Sequence, residues 1–184
     1  MLSDMVEYKR FVWEFNNSVD LNKDIVFVCI GTTRLIGDSF GPLVGTVLKR
    51  MLEKNDKVTV IGDLQNCVTY EDIRDKMHII NSKYSNSLII VVDSALADKS
   101  NIGKIYVQKR GLKYAESLKK ANGVIGNISI KAVVGENCSD SMKNFYNLKD
   151  VSIQRIEYVS SIVANGIVDV MNRNENNGKN IYKW

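Results

Sequence analysis

Ile25-Val26-Phe27-Val28-Cys29-Ile30-Gly31-Thr32-Thr33-Arg34-Leu35-Ile36-Gly37-Asp38-Ser39-Phe40-Gly41-Pro42-Leu43-Val44-Gly45 is the stretch from which the fold follows. It opens as a continuous apolar run rich in β-branched residues, the pattern of a strand buried on both faces in a parallel sheet. It breaks into a polar loop with two threonines, an arginine and a single acid, Asp38. It closes with Gly41-Pro42 leading an apolar run of helical type, and proline suits the first turn of a helix. In open α/β sheets a loop of this kind lies at the carboxyl edge, where ligands bind.

The rest of the chain repeats this alternation. Leu2, Met5, Val6, Tyr8, Phe11, Val12 and Phe15 recur at helical spacing, so an amphipathic helix is expected within residues 1–20. Leu43 to Leu52 carry the stripe of the next helix, Val58–Gly62 is a short second strand, and Thr69-Tyr70-Glu71-Asp72 has the form of a capping box, so a helix is expected from Thr69 or Tyr70. Leu88–Val92 is a third, wholly apolar strand that runs into Asp93-Ser94. Gly103–Gln108 alternates, as a half-buried or edge strand does. Residues 111–127 are polar and read as a loop excursion. Ile128–Val134 is the fifth strand, with Gly135-Glu136 at its end. Met142, Phe145 and Leu148 mark a short helix, and Val151 to Met171 a long one, with residues 172–184 a polar tail. The expectation is one domain over 1–184, its α/β core at 25–171, built on a central, mostly parallel, five-stranded sheet.

Composition narrows the function classes. Apolar residues make up 45% and charged residues 25%, an ordinary balance for a globular protein, and the net charge is +4. The cations are scattered among acids rather than clustered, so nucleic acid is not an expected partner. No apolar run approaches the roughly 18 residues of a membrane span, so no membrane partner is expected either. Three widely spaced cysteines, Cys29, Cys67 and Cys138, make neither a disulfide framework nor a zinc pattern and fit a reducing cytoplasm. Asp4, Glu7 and Lys9 interrupt the opening residues, unlike a secretory leader.

If the first and third strands are neighbours, about 4.8 Å apart, the loops after them meet, and Asp38 and Asp93 share one crevice. Two carboxylates there cannot both ionise cheaply, so one pKa rises and the pair can divide the roles of base and acid on a water and a carbonyl. The plainer alternatives are structural: Asp38 as a carboxylate satisfying the free N–H groups of a helix start, and Asp93 bonded to loop amides. A phosphate could meet Thr32, Thr33, Arg34 and the helix start, although the loop matches neither the dinucleotide fingerprint nor the P-loop. A metal held by Asp38, Asp93 and Glu136 would be oxygen-rich and lack the His or Cys that zinc or nickel favours. The sole histidine, His78, falls on the helix before the third strand, which removes most Ser-His and Cys-His schemes.

Cys29-Ile30-Gly31-Thr32, Gly37 to Gly45 and Val91-Val92-Asp93-Ser94-Ala95-Leu96 resemble the YyaC-type sporulation proteins, relatives of the germination protease of spore-forming bacteria. More distantly the layout is similar to that of hydrogenase maturation proteases. The resemblance implies a phosphorylase/hydrolase-like three-layer α/β/α sandwich and a peptidase-type site. In the germination protease one aspartate in an Asp-x-x-Gly-Pro motif and one after the third strand form the proposed catalytic pair. They fall on Asp38 and Asp93 of this chain. Around them, Thr32, Thr33, Arg34, Gly41, Ser94 and Glu136 are the expected substrate contacts. Relatives carry a glycine-rich loop after the fourth strand, where this chain reads Tyr114-Ala115-Glu116-Ser117-Leu118-Lys119-Lys120.

Two readings stand first at this point, with a flavodoxin-like binder of a phosphorylated ligand at the Thr32-Thr33 loop as a third. One is an aspartate-dependent peptide hydrolase without cofactor or bound metal, in the cytoplasm of a sporulating cell or spore, acting on a peptide or small spore protein. The other is an inactive sporulation protein that binds a peptide or protein partner in the same cleft. A homo-oligomer is compatible with both.

Overall fold

Residues 2–114 and 123–177 are described by the computed structural model. The order is α1 (Leu2–Asn16), β1 (Ile25–Cys29), a 3-10 turn (Gly37–Ser39), α2 (Phe40–Met51), β2 (Val58–Ile61), α3 (Ile73–Lys83), β3 (Leu88–Ala97), β4 (Ile105–Gln108), β5 (Leu112–Tyr114), β6 (Gly123–Ile125), β7 (Ile128–Glu136), α4 (Ser141–Lys149) and α5 (Ile153–Asn177). Five strands form the sheet β2-β1-β3-β7-β4, with only β4 antiparallel to its neighbour.

β1 reads as unbroken apolar sequence because both its faces are covered. Ile25, Phe27 and Cys29 pack into the larger core with α1, α2 and α5, while Val26 and Val28 pack with α3. These are the three layers: helices α1, α2 and α5, the sheet, then α3 with the β5–β6 hairpin, whose Leu112 and Ile125 join the second core. Cys29 is fully buried and its thiol is pushed up to about 12 by burial, so it acts as apolar filler. All three cysteines are free.

α1 lies along the outer strand. Glu7 accepts from the Ile105 amide at 2.9 Å, and Arg10 donates to the Ile105 carbonyl at 2.6 Å. Two charged side chains thus bond to the backbone of β4 on the side that has no neighbouring strand.

Several local expectations change. Residues 111–127 contain the β5–β6 hairpin rather than only a loop; residues 115–122, where most of the glycine-poor stretch falls, lie outside the described residues. α3 starts at Ile73, because the Asp72 carboxylate accepts from the Thr69 amide at 2.8 Å and closes 69–72 as a separate turn. α5 runs to Asn177, past the end of its apolar stripe, since extending a formed helix adds one bond per residue. β3 continues to Ala97, so Asp93 lies inside a strand instead of at its end. Among the described residues no helix is long and apolar enough to cross a membrane.

Candidate functional site

The site exists because the carboxyl edge of the sheet is stepped. β1 ends at Cys29, in register with Val92, while β3 and β7 run on. Asp93 is the first β3 residue past that edge, and it pairs in register with Lys131 of β7. Beyond β1, Ile30 still bridges Val68, and the Gly31 amide donates to the Val68 carbonyl at 2.8 Å, which draws the loop after β2 across the step. That loop is held by Asp63, which accepts from the amides of Gln65 and Asn66 at 2.8 and 2.7 Å and pairs with Lys49.

Gly31 is required at the turn into the Asp38 loop. Its φ is +148°, and a Cβ there would sit 2.0 Å from the Asp38 carbonyl oxygen. The Thr32 amide donates to that same carbonyl at 3.1 Å, which ties the loop's two ends. Asp38 then sits in the 3-10 turn before α2. Its carboxylate does not cap the helix: neither the turn nor α2 has a side-chain cap, and the Asp38 partner is the Ser94 hydroxyl at 3.3 Å.

Tyr70 completes the group. Its ring is half-exposed, but its hydroxyl reaches inward and donates to Asp93 Oδ2. Asp93 itself is 4% exposed. Burial pushes its pKa up to about 7, with a further push from the Asp38 charge, against opposing contributions from the Tyr70 hydroxyl, Lys131 and the Ser94 amide. Burial also raises Asp38, against the Ser94 bond. Tyr70 is raised by burial of its hydroxyl and by the charges of Asp93 and Asp38, so it stays protonated. Asp93 therefore feels the Asp38 charge, and both aspartates touch Ser94, one through its hydroxyl and one through its amide. Asp93 thus keeps its proton up to about pH 7, beside the cleft-facing Asp38.

The cleft in front of Asp38 measures about 160 Å3 and is lined by Gly31, Thr32, Arg34, Asp38, Thr69, Tyr70 and Glu71. At about 30 Å3 per water molecule it admits a water and a small group such as a peptide unit. Asp93 lies behind Tyr70.

Of the expected contacts, Thr32 and Arg34 line this cleft, and Ser94 bridges the acids. Thr33 faces the other side of its loop. Gly41 is buried under β1: a Cβ there would sit 2.0 Å from the Ile30 carbonyl oxygen, so its place in the motif is one of packing. Glu136 is exposed and stands in register with Ala97, about 13 Å along the strand from the Asp93 level. With Glu136 so placed, no group of three His, Cys, Asp or Glu side chains among the described residues converges to hold a metal. The donors that do meet here are two aspartates engaged with a serine and a tyrosine. Tyr70 and Lys131 are residues that the sequence reading passed over.

The Asp93 environment carries a stability signature. An unfolded Asp titrates near pH 3.9, whereas the folded one holds its proton to about 7. Between those values the native state binds more protons than the unfolded state, so this group's contribution is full below about pH 4 and is lost as pH rises through 7. The loss amounts to about 4 kcal/mol. Urea unfolding from pH 4 to 8 is expected to show Asp93→Asn gaining stability relative to wild type as pH rises; a pH-independent difference would contradict the assignment.

Residues 2–166 match the family described as "Protein of unknown function (DUF1256)". The chain is 32% identical to a Bacillus subtilis (strain 168) protein, "Uncharacterized protein YyaC", over 145 residues, 79% of this chain and 68% of that protein. Among solved structures it is similar to the [NiFe] hydrogenase maturation protease HycI from Thermococcus kodakarensis KOD1, with a TM-score of 0.55, 17% identity, and coverage of 82% of this chain and 93% of that one. The [NiFe] hydrogenase maturation protease HybD from Thermococcus kodakarensis aligns with a TM-score of 0.46 at 16% identity, covering 81% of this chain and 97% of that one. HycI shares the α/β fold, with helices on both sides of a mostly parallel sheet. The match over residues 2–166 and the identity with YyaC place this chain in the DUF1256 family.

Proposed function

We propose that this chain is an aspartate-dependent peptide hydrolase of the sporulating cell's cytoplasm, acting on a peptide or small spore protein. The observation that carries the reading is the unequal pair: one half-buried carboxylate facing a cleft and one buried carboxyl near pKa 7, each raised, joined by Ser94. The setting comes from the resemblance to YyaC-type proteins.

Asp38, ionised and lining the cleft, takes a proton from water as the oxygen attacks the peptide carbonyl. Asp93, protonated, acts through Tyr70. When Asp93 carries its proton it donates to the Tyr70 oxygen, which frees the Tyr70 hydroxyl to donate to the carbonyl oxygen as charge builds there. The Asp93 proton passes to Tyr70 as Tyr70 gives its own to that oxygen. Collapse of the tetrahedral species breaks the C–N bond: Asp38 gives its proton to the leaving nitrogen, and the hydroxyl proton returns through Tyr70 to Asp93. One water is consumed and the pair regains its starting state.

The test is digestion of a diverse synthetic peptide library by the purified full chain, with products read by mass spectrometry. Cleavage that fails in the aspartate variants supports the proposal, and no turnover of any peptide removes it. Tyr70→Phe is expected to lower kcat/KM about 100-fold without unfolding the protein. It also cuts the only route by which Asp93 gives up its proton, so the alkaline limb that Asp93 sets in the wild type is expected to be missing from the residual activity. Activity within tenfold of wild type, with that limb kept, would place Tyr70 outside the proton path.

A further inference from the structure

The loop from Thr32 to Ser39 has two sides. Thr32, Arg34 and Asp38 line the cleft, while Thr33, Ile36 and Ser39 line a second and larger depression of about 600 Å3. One wall of it is Leu43 and Val47 of α2, with Ile36 and Leu64 at its mouth; the opposite wall is α5, through Ile153 and Ser160. Ile36 is 38%, Leu64 39% and Ile153 64% exposed, so apolar surface from three separate segments meets here in the open.

Two features set this groove apart from an ordinary surface dip. It shares the catalytic loop with the cleft, so a peptide lying across Asp38 runs into it within the thickness of one loop. Its wall also holds an unanswered polar group: Ser160 is 6% exposed and its hydroxyl has no hydrogen-bond partner among the described residues. A buried hydroxyl left unpaired in an apolar wall is costly, and a peptide backbone supplies what it lacks. The one charged side chain of the lining is Glu157, exposed on α5.

We infer that this groove is the specificity subsite of the Asp38 cleft, seating apolar side chains of the substrate peptide, with its backbone on Ser160 and a Lys or Arg of the peptide against Glu157. The inference rests on the hydrolase reading and names the substrate class: apolar segments flanked by a basic residue. Substrate choice is then set on the α2–α5 side of the sheet, apart from the acids that cleave.

Binding is measured on the full chain carrying Asp38→Asn, which separates binding from turnover, with fluorescein-labelled twelve-residue peptides. One has Leu-Ile-Leu at its centre and a neighbouring Lys; the second replaces Leu-Ile-Leu by Ser-Gln-Ser; the third replaces the Lys by Glu. The first is expected to bind at least tenfold tighter than the second and several-fold tighter than the third. Adding Ile153→Asp, an exposed position at the start of α5 that tolerates an acid, is expected to remove at least tenfold of that affinity. Ser160→Ala is expected to weaken binding about fivefold, and Ile79→Asp, on the exposed face of α3, to leave it within twofold. Equal binding of the apolar and polar peptides, or full binding after Ile153→Asp, overturns the assignment. Preferential binding with no cleavage by the wild type keeps the groove and removes the hydrolase; cleavage with no apolar preference does the reverse.

Discussion

Asp38→Asn is expected to lower kcat/KM for any cleaved peptide by about 1,000-fold or more, and Asp93→Asn by a similar amount. The reasons differ. Asn at position 38 keeps the Ser94 hydroxyl in reach but cannot take a proton from water. Asn at position 93 keeps the Tyr70 hydroxyl donating to its amide oxygen, and so cannot send a proton out through it. Because the two acids act as one unit, the double variant is expected to be no worse than the weaker single one. Both substitutions are isosteric at positions with satisfied neighbours, so circular dichroism should show an unchanged fold. Either variant retaining activity within tenfold of wild type would end the paired-acid mechanism, and additive losses would show two independent groups.

Gly41→Ala is expected to be among the most damaging small substitutions in the chain's central motif, at about 3 kcal/mol or more of unfolding free energy. The added methyl would meet backbone, the Ile30 carbonyl at 2.0 Å, and backbone cannot rotate aside as a side chain can. α2 would have to lift from the end of β1, carrying the turn with Asp38 away from Ser94. Stability and activity should therefore fall together. An unfolding free energy in urea within about 0.5 kcal/mol of wild type would mean that α2 shifts freely and that the motif glycine has another purpose.

The sheet was legible for a plain physical reason. Strands covered on both faces have no solvent side to mark, so β1 and β3 stand out as unbroken apolar runs, and the partly exposed edge strand β4 shows alternation. The β5–β6 hairpin escaped because strands of three residues are too short to show a period, even though Leu112 and Ile125 are buried. That Asp38 and Asp93 come together was legible from the rule that the loops after neighbouring parallel strands meet at one edge. Glu136 was expected at the same edge because that edge was taken as level; β3 and β7 overrun β1, so the end of β7 lies beyond the acids. Tyr70 was hidden by its own surroundings. Thr69 to Asp72 has the form of a helix start, and the Thr69 amide does donate to the Asp72 carboxylate, but that bond closes a turn that presents the tyrosine to Asp93. Adjacency of β1 and β2 was the available clue, since it brings the loop after β2 over the loop after β1.

The contact between α1 and β4 bears on how the protein behaves in a crowded cell. An outer strand offers unused amides and carbonyls to any other strand that drifts past, and chains joined in that way go on to polymerise. Glu7 and Arg10 occupy the Ile105 amide and carbonyl through which such recruitment would begin. The opening helix is in this sense a guard against fibre growth, a duty separate from the chemistry two strands away at the same level of the sheet.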